Sequence, residues 1–366
     1  MTRSIRQSLA AACGVGMTVF VLGVSAEAQT ITQVMSGLDS PRGLAFGPEG
    51  GLYVTEAGIP VNSGFCVTVA LGMNCYSETG KVTRLYRGKQ ERVAEGLPSI
   101  FNTVRQDVVG ANDISFQGRG GAYVTLGWGG APAIRQTLGD VGSLIGTLIN
   151  LEPSGRWRID ANISDYEDAH NPAGGPKDSN PYGVLALPGE RYVTDAGCNC
   201  LLRVAASGTV SLVATFGPEA IVPTPTPPAS PTAEAVPTEV VLGPDGALYV
   251  SLLTGAPFAN GIAKVYRVVP GEAPTVFQSN FRTIIDIAFG PDGSLYVLEH
   301  SAQAPGFAAP GKITRITPGG ARNPINTGTR LTRPTSILVD DDGAIYVTNK
   351  GAGFAAGAGE VLKIIE

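Results

Sequence analysis

Charge is scarce in this sequence, at 16% of residues, and only two histidines are present in 366 positions. The net charge of −5 excludes a broad electrostatic footprint for nucleic acid or an anionic membrane. No Gly-x-Ser-x-Gly elbow, phosphate loop, zinc-protease helix or Cys-x-x-Cys pair occurs, which removes the usual signatures of covalent hydrolysis, nucleotide chemistry and dithiol redox chemistry. Ser164 and Ser179 have no identifiable base partner. Beyond residue 28 no apolar run is long enough to span a membrane.

What is abundant is glycine, at 49 residues, with 27 prolines, a turn-rich composition that a helical protein would not tolerate. The apolar run from Leu9 to Val24 follows Arg3 and Arg6 and precedes Ala26-Glu27-Ala28. This is the pattern of a cleaved signal peptide, residues 1–28, and it predicts a periplasmic or secreted protein. Of the five cysteines, Cys13 leaves with that signal. Cys66 and Cys75 lie in one Gly-rich stretch and are expected to bridge, while Cys198 and Cys200 are read either as a tight local disulfide or as reduced thiols.

The informative feature is an internal repeat. Six copies, starting at Gly43, Asp113, Tyr182, Thr238, Ile285 and Thr335, each give an alternating strand, a Gly-bearing turn and a second strand carrying Tyr-Val. The reference tyrosines are Tyr53, Tyr123, Tyr192, Tyr249, Tyr296 and Tyr346. Third strands follow at 81–87, 144–151, 201–206, 263–269, 312–317 and 360–365, and fourth strands at 91–96, 209–216 and 275–279. Four short antiparallel strands repeated six times predict an all-β, six-bladed β-propeller, a single domain over 29–366. The last copy lacks a fourth strand, so residues 30–36 are expected to complete it and close the ring. Insertions are expected at 128–180, with a short helix over 163–170, and at 222–237, a Pro/Thr stretch read as an extended excursion without sheet hydrogen bonds.

Equivalent positions of the repeat supply the candidate site. Three residues beyond the tyrosines stand Glu56, Leu126, Asp195, Leu252, Glu299 and Asn349; near the start of the first strands stand Arg42, Asn112 with Asp113, Asn180, Thr238, Asp286 and Thr335. In a propeller these converge on the axis. Carboxylates gathered there need a proton or a cation, and an oxygen-rich set suits Ca²⁺ or Mg²⁺. The expected metal ligands are Glu56, Asn112, Asp113, Asn180, Asp195, Asp286, Glu299 and Asn349, in an acidic axial funnel; no nucleotide cofactor is indicated. His170 and His300 are weaker candidates for a general base and are read mainly as surface residues.

Several stretches, GLDSPRGLAFGPEGGLYVTEAG (37–58), DSNPYG (178–183), YVTDAG (192–197), NCLLRV (199–204), GPDGALYV (243–250), LTGAPF (253–258) and IIDIAFGPDGSLYVLE (284–299), together resemble the ScyD/ScyE family over essentially the whole mature chain. The resemblance implies an exported six-bladed propeller of the wider group that includes NHL-repeat and calcium-dependent lactonase-like proteins. It implies site roles for Glu56, Asn112, Asp113, Asp178, Asn180, Asp195, Asp286 and Glu299. The chain departs from the family pattern at Cys198 and Cys200 and in its longer 222–237 insertion. The resulting expectation is a small-molecule-binding propeller acting on an aromatic or lactone-like compound, a non-catalytic envelope or extracellular binding module being the alternative. A quinone-dependent sugar dehydrogenase is disfavoured by the shortage of histidine.

Overall fold

The computed structural model describes residues 29–366 apart from 63, 119–120 and 223–229, so the expected signal peptide lies outside the described residues. Blade one is built from Pro41–Phe46, Leu52–Glu56, Met73–Tyr86 and Lys89–Asn102, blade two from Ala111–Phe116, Ala122–Leu126, Thr147–Leu151 and Trp157–Asn162. Blades three, four and five run without interruption of this order from Pro181–Leu187, Pro237–Leu242 and Ile284–Phe289 respectively. Blade six takes Ser336–Val339, Ile345–Asn349 and Gly359–Ile365 from the end of the chain and Thr30–Leu38 from its start, with Thr30 opposite Ile365 and Met35 opposite Val361. The first strands of successive blades pack against one another, and that of blade six against that of blade one, so the ring is closed.

The repeat motif has a steric explanation. In Gly-Pro-Asp-Gly-x-Leu-Tyr-Val the second glycine takes φ near +80°, as at Gly246 (79°) and Gly293 (77°), which closes the hairpin turn. The first glycine lies beneath the tyrosine ring: a Cβ on Gly243 would stand 2.2 Å from Tyr249 and one on Gly47 2.5 Å from Tyr53. Each tyrosine side chain then closes an inter-blade junction, for example Tyr53 against Phe116 and Tyr249 against Phe289. Six apolar clusters follow, one at each junction. Met35 and Leu38 of the N-terminal strand belong to the cluster between blades six and one.

The threonine after Tyr-Val holds the inner strands together. The first strands of blades one to five bulge near their starts, which frees a backbone N–H and a carbonyl from the ladder. Thr55 Oγ1 accepts from Gly43 N at 2.8 Å and donates to Asn112 O; Thr194 Oγ1 accepts from Gly183 N at 2.8 Å and donates to Thr238 O at 3.0 Å. Thr125 accepts from Asp113 N and donates to Tyr182 O, and Thr348 donates to Arg42 O. Each bond that the threonine donates crosses to the next blade.

The insertions differ from expectation. Within 128–180, Thr147–Leu151 is blade two's third strand, as expected over 144–151, but Trp157–Asn162 is its fourth, leaving helical turns at Pro132–Gln136 and Gly139–Leu144 and the expected helix at Ile163–His170, whose Asn162 cap accepts from Asp165 N. In 222–237 the segment Thr232–Ala233 does pair, antiparallel with Glu219–Ala220, because only its prolines, not its Thr-Ala step, lack a donor. Both cysteine pairs form disulfides, Cys66–Cys75 and Cys198–Cys200.

Candidate functional site

The eight expected ligands divide into three groups with different surroundings. Glu56, Asp195, Glu299 and Asn349 end the second strands and hold the incoming inter-blade loops. Glu56 accepts from Asp39 N at 2.6 Å, Asp195 from Asn180 N at 2.6 Å, Glu299 from Arg282 N at 2.7 Å and Asn349 from Thr332 N at 2.7 Å. Burial pushes Asp195 up to about 6 and raises Glu56 and Glu299. These are structural acceptors, one for each loop, and Leu126 and Leu252 stand in the same positions where no such acceptor is used.

The second group is the amide pair. Asn112 is buried, donates to Pro181 O at 2.8 Å and keeps Oδ1 without a partner; Asn180 accepts from Trp128 N. Both press on Gly127, where a Cβ would lie 2.4 Å from one amide and 2.6 Å from the other. Asp178 sits outside, in the insertion, where its backbone N–H meets the buried Glu167 carboxylate.

The third group is a ring of carboxylates on the axis. Ten residues before the reference tyrosine come Gly43, Asp113, Glu239, Asp286 and Ser336, with Gly183 at nine. The N–H of the following residue is turned to the axis by the bulge, and the ring supplies its acceptors. Asp113 accepts from Val184 N at 2.8 Å, Glu239 from Val240 N at 2.8 Å, Asp286 from Ile287 N at 2.6 Å and Ile337 N at 2.8 Å, and Ser336 from Leu44 N at 3.2 Å. Gly43 and Gly183 make room, since a Cβ there would meet Asp113 or Glu239. Burial lifts Asp286 to about 7, and burial with the neighbouring charges lifts Asp113 and Glu239 well above the carboxylate range. Glu239 lies outside the expected set, next to the strand-start residue Thr238; its sequence signal is the ten-residue spacing to Tyr249, shared with Asp113 and Asp286.

Among the described residues no three His, Cys, Asp or Glu side chains are placed to hold one metal ion.

On the side of the strand starts the axis opens into a cavity of about 490 Å³. Its floor and walls include Arg42, Tyr182, His300, Phe258 and Phe307, with Arg105, Asp107 and Arg333 towards the rim. This mouth is cationic and aromatic, where an acidic funnel was expected. His300 is buried, not a surface residue, and its Nδ1 lies 2.8 Å from Pro334 O. A carbonyl only accepts, so Nδ1 carries the proton and the neutral ring presents Nε2 as a lone pair. Burial pushes its pKa down to about 4, with Arg42 and Arg333 adding to the effect, so the ring is neutral at pH 7. Arg42 is buried and held by Gly351 O at 2.8 Å, Val108 O at 2.5 Å and Asp107 Oδ1 at 2.9 Å. Tyr182 sits in the field of Arg42, and burial raises its phenol above the usual range. His170, by contrast, is exposed, stacked on Tyr166 with Nδ1 at the Tyr166 carbonyl.

The loops that carry Phe258 and Phe307 are pinned by one buried side chain. Arg282 donates through Nε to Phe258 O at 2.9 Å, through one terminal nitrogen to Ser301 O at 2.6 Å, and through the other to Gly306 O. None of Tyr182, Phe258, Phe307, Arg105, Asp107 or Arg333 was singled out from sequence. Arg105, Phe258, Phe307 and Arg333 come from loops with no repeat pattern, while Tyr182 opens the first strand of blade three and Asp107 a short strand at 107–109, and only the ring geometry brings them together.

No family profile matches the chain, and no curated protein matches it. Solved structures do. A glucose dehydrogenase is 16% identical with a TM-score of 0.53, covering 92% of this chain and 99% of that one. A gluconolactonase candidate is 11% identical with a TM-score of 0.52, covering 92% of each. A protein of unknown function from Bacteroides thetaiotaomicron is 11% identical with a TM-score of 0.54, covering 92% of this chain and 76% of that one. At these identities the likeness shows the fold.

Proposed function

We propose that this chain is an exported propeller that binds a small molecule in the axial cavity at Arg42, Tyr182 and His300 and acts on an aromatic or lactone-like compound there. The observation that carries the reading is the neutral, tautomerically fixed His300 lining a cavity walled by aromatic side chains. The two disulfides support an oxidising, periplasmic or secreted location. The ScyD/ScyE resemblance remains part of the proposal, as does the lactonase-like activity that one structural neighbour's name suggests.

The chemistry follows from protonation states. His300 Nε2 takes a proton from a water that attacks an ester or lactone carbonyl. The oxygen that gains charge is met by the Tyr182 hydroxyl, beside the positive Arg42. On collapse of the tetrahedral species the C–O bond breaks and His300 returns the proton to the leaving oxygen, giving acid and alcohol. A Ca²⁺ or Mg²⁺ is retained as a separate proposal at the axial carboxylates alone, and metal analysis of protein purified without chelator, beside Asp113→Asn, tests it.

A panel of aryl esters and aromatic lactones, assayed with wild type, His300→Gln and Tyr182→Phe, tests the main reading. The expected result is turnover of at least one compound, reduced about a hundredfold or more in His300→Gln. Binding without turnover of any compound supports the second reading, a non-catalytic binding module. That reading is favoured by one observation: Phe65, Leu71, Met73 and Val104 stay exposed on adjoining hairpins, with Leu71 at the cavity's edge.

A further inference from the structure

We infer that the cavity selects a ligand carrying a negative charge on a flat apolar body, the charge held by Arg105 and Arg333 and the body by Phe258, Phe307 and Tyr182. This rests on the reading that the cavity is the ligand site, and it adds a ligand class to it.

The first observation is an inversion of charge. The chain as a whole is acidic, at −5, yet the charged side chains lining this cavity are Arg42, Arg105 and Arg333 against Asp107 alone. Arg42 and Asp107 neutralise each other at 2.9 Å. His300 carries no charge at neutral pH. What remains is a surplus of two guanidinium groups at the rim of an otherwise acidic molecule, and low-dielectric walls focus such a field into the cavity.

The second observation is that these two groups have donors to spare. The Arg105 side chain makes no hydrogen bond or ion pair with any described residue; its charge acts on Asp178, outside the cavity lining. Arg333 spends one terminal nitrogen on Ala352 O at 3.2 Å. A guanidinium offers five N–H donors in a planar fork, so most of the donors on each side chain face no protein partner. Carboxylate, sulfonate and phosphate groups all match that fork.

The third observation is the shape of the opposite wall. Phe258 and Phe307 stand with ring centroids 4.4 Å apart, and Phe307 meets His300 edge-on at 5.1 Å. Arg282 fixes both phenylalanine loops through three backbone carbonyls, so the wall is set before any ligand arrives. An aromatic surface facing a cationic rim, within about 490 Å³, fits a ligand of one or two fused rings with an acidic substituent.

The test uses 2-naphthoate and its uncharged counterpart 2-naphthamide, titrated by calorimetry at pH 7 and low salt into wild type and an Arg105→Gln/Arg333→Gln double variant. The expected result is naphthoate at least tenfold tighter than naphthamide in wild type, a preference that weakens with added salt. In the double variant that preference should fall to about twofold or less while naphthamide binds as before, which also shows that the variant is folded. Equal affinities in wild type, or a preference that survives in the double variant, overturn the inference and leave the cavity reading standing. If neither compound binds at millimolar concentration and the His300 ring signals do not respond to either, the cavity reading itself falls and takes this inference with it.

Discussion

Thr194 accepts from Gly183 N and donates to Thr238 O, so one hydroxyl satisfies two backbone groups on two blades. Thr194→Val keeps the volume and orphans both; each buried orphan costs about 1–3 kcal/mol, and urea unfolding should show a loss in that range or above it. The axial carboxylates are a second residue-scale matter. Asp286 titrates at about 7 in the folded chain and near the ordinary Asp value when unfolded, so the folded state holds the extra proton between those values. Stability from this group is therefore lost as pH rises towards 7, by up to about 1.4 kcal/mol per pH unit. His300 has the opposite sign, since its folded pKa is depressed to about 4 and acidification below about 6.5 costs stability. Comparing wild type with Asp286→Asn cancels the histidine: the variant's melting temperature relative to wild type should climb between pH 5 and 8. A constant difference would show that Asp286 is already ionised at pH 5. The repeat made Asp113 and Asp286 legible as axial residues, but it also promoted Glu56, Asp195, Glu299 and Asn349, because a recurrent polar residue at a strand end has the same sequence signature whether it holds a loop or a ligand.

Among the elements, the N-terminal strand carries the closure. Met35 is 2% exposed in the junction between blades six and one, opposite Val361. Met35→Ala should cost about 2–5 kcal/mol by chemical denaturation, as for any large core truncation, whereas an unpaired N-terminal arm would make the change neutral. The strand was readable because a missing fourth strand at one end of the sequence matched a spare one at the other. Blade two's third strand was legible at 144–151, but its fourth, Trp157–Asn162, was harder to read, since the helix that follows broke the regular spacing and drew it into an apparent insertion. Thr232–Ala233 was obscured by surrounding prolines, although pairing needs only the donors that remain.

At the scale of the whole molecule, six similar sheets around one axis create two distinct environments along it. Mid-channel lies a ring of protonatable carboxylates, and at the strand-start mouth lies a cationic, aromatic cavity. Periodicity revealed the first because its residues sit in register with the repeat. It could not reveal the second, because Arg105, Phe258, Phe307 and Arg333 come from loops of unrelated length, and because His300 looks exposed until Pro334 and Phe307 are folded over it. The chain has only two histidines, one buried in the cavity and one exposed on the insertion helix, so imidazole ¹⁵N NMR separates them cleanly. The His300 ring should remain a neutral Nδ1–H tautomer down to about pH 4 and shift when 2-naphthoate is added, while the His170 ring does not respond to it. A His300 ring that titrates near 6.5, or one whose signals are unmoved by any aromatic ligand that binds the protein, would contradict it.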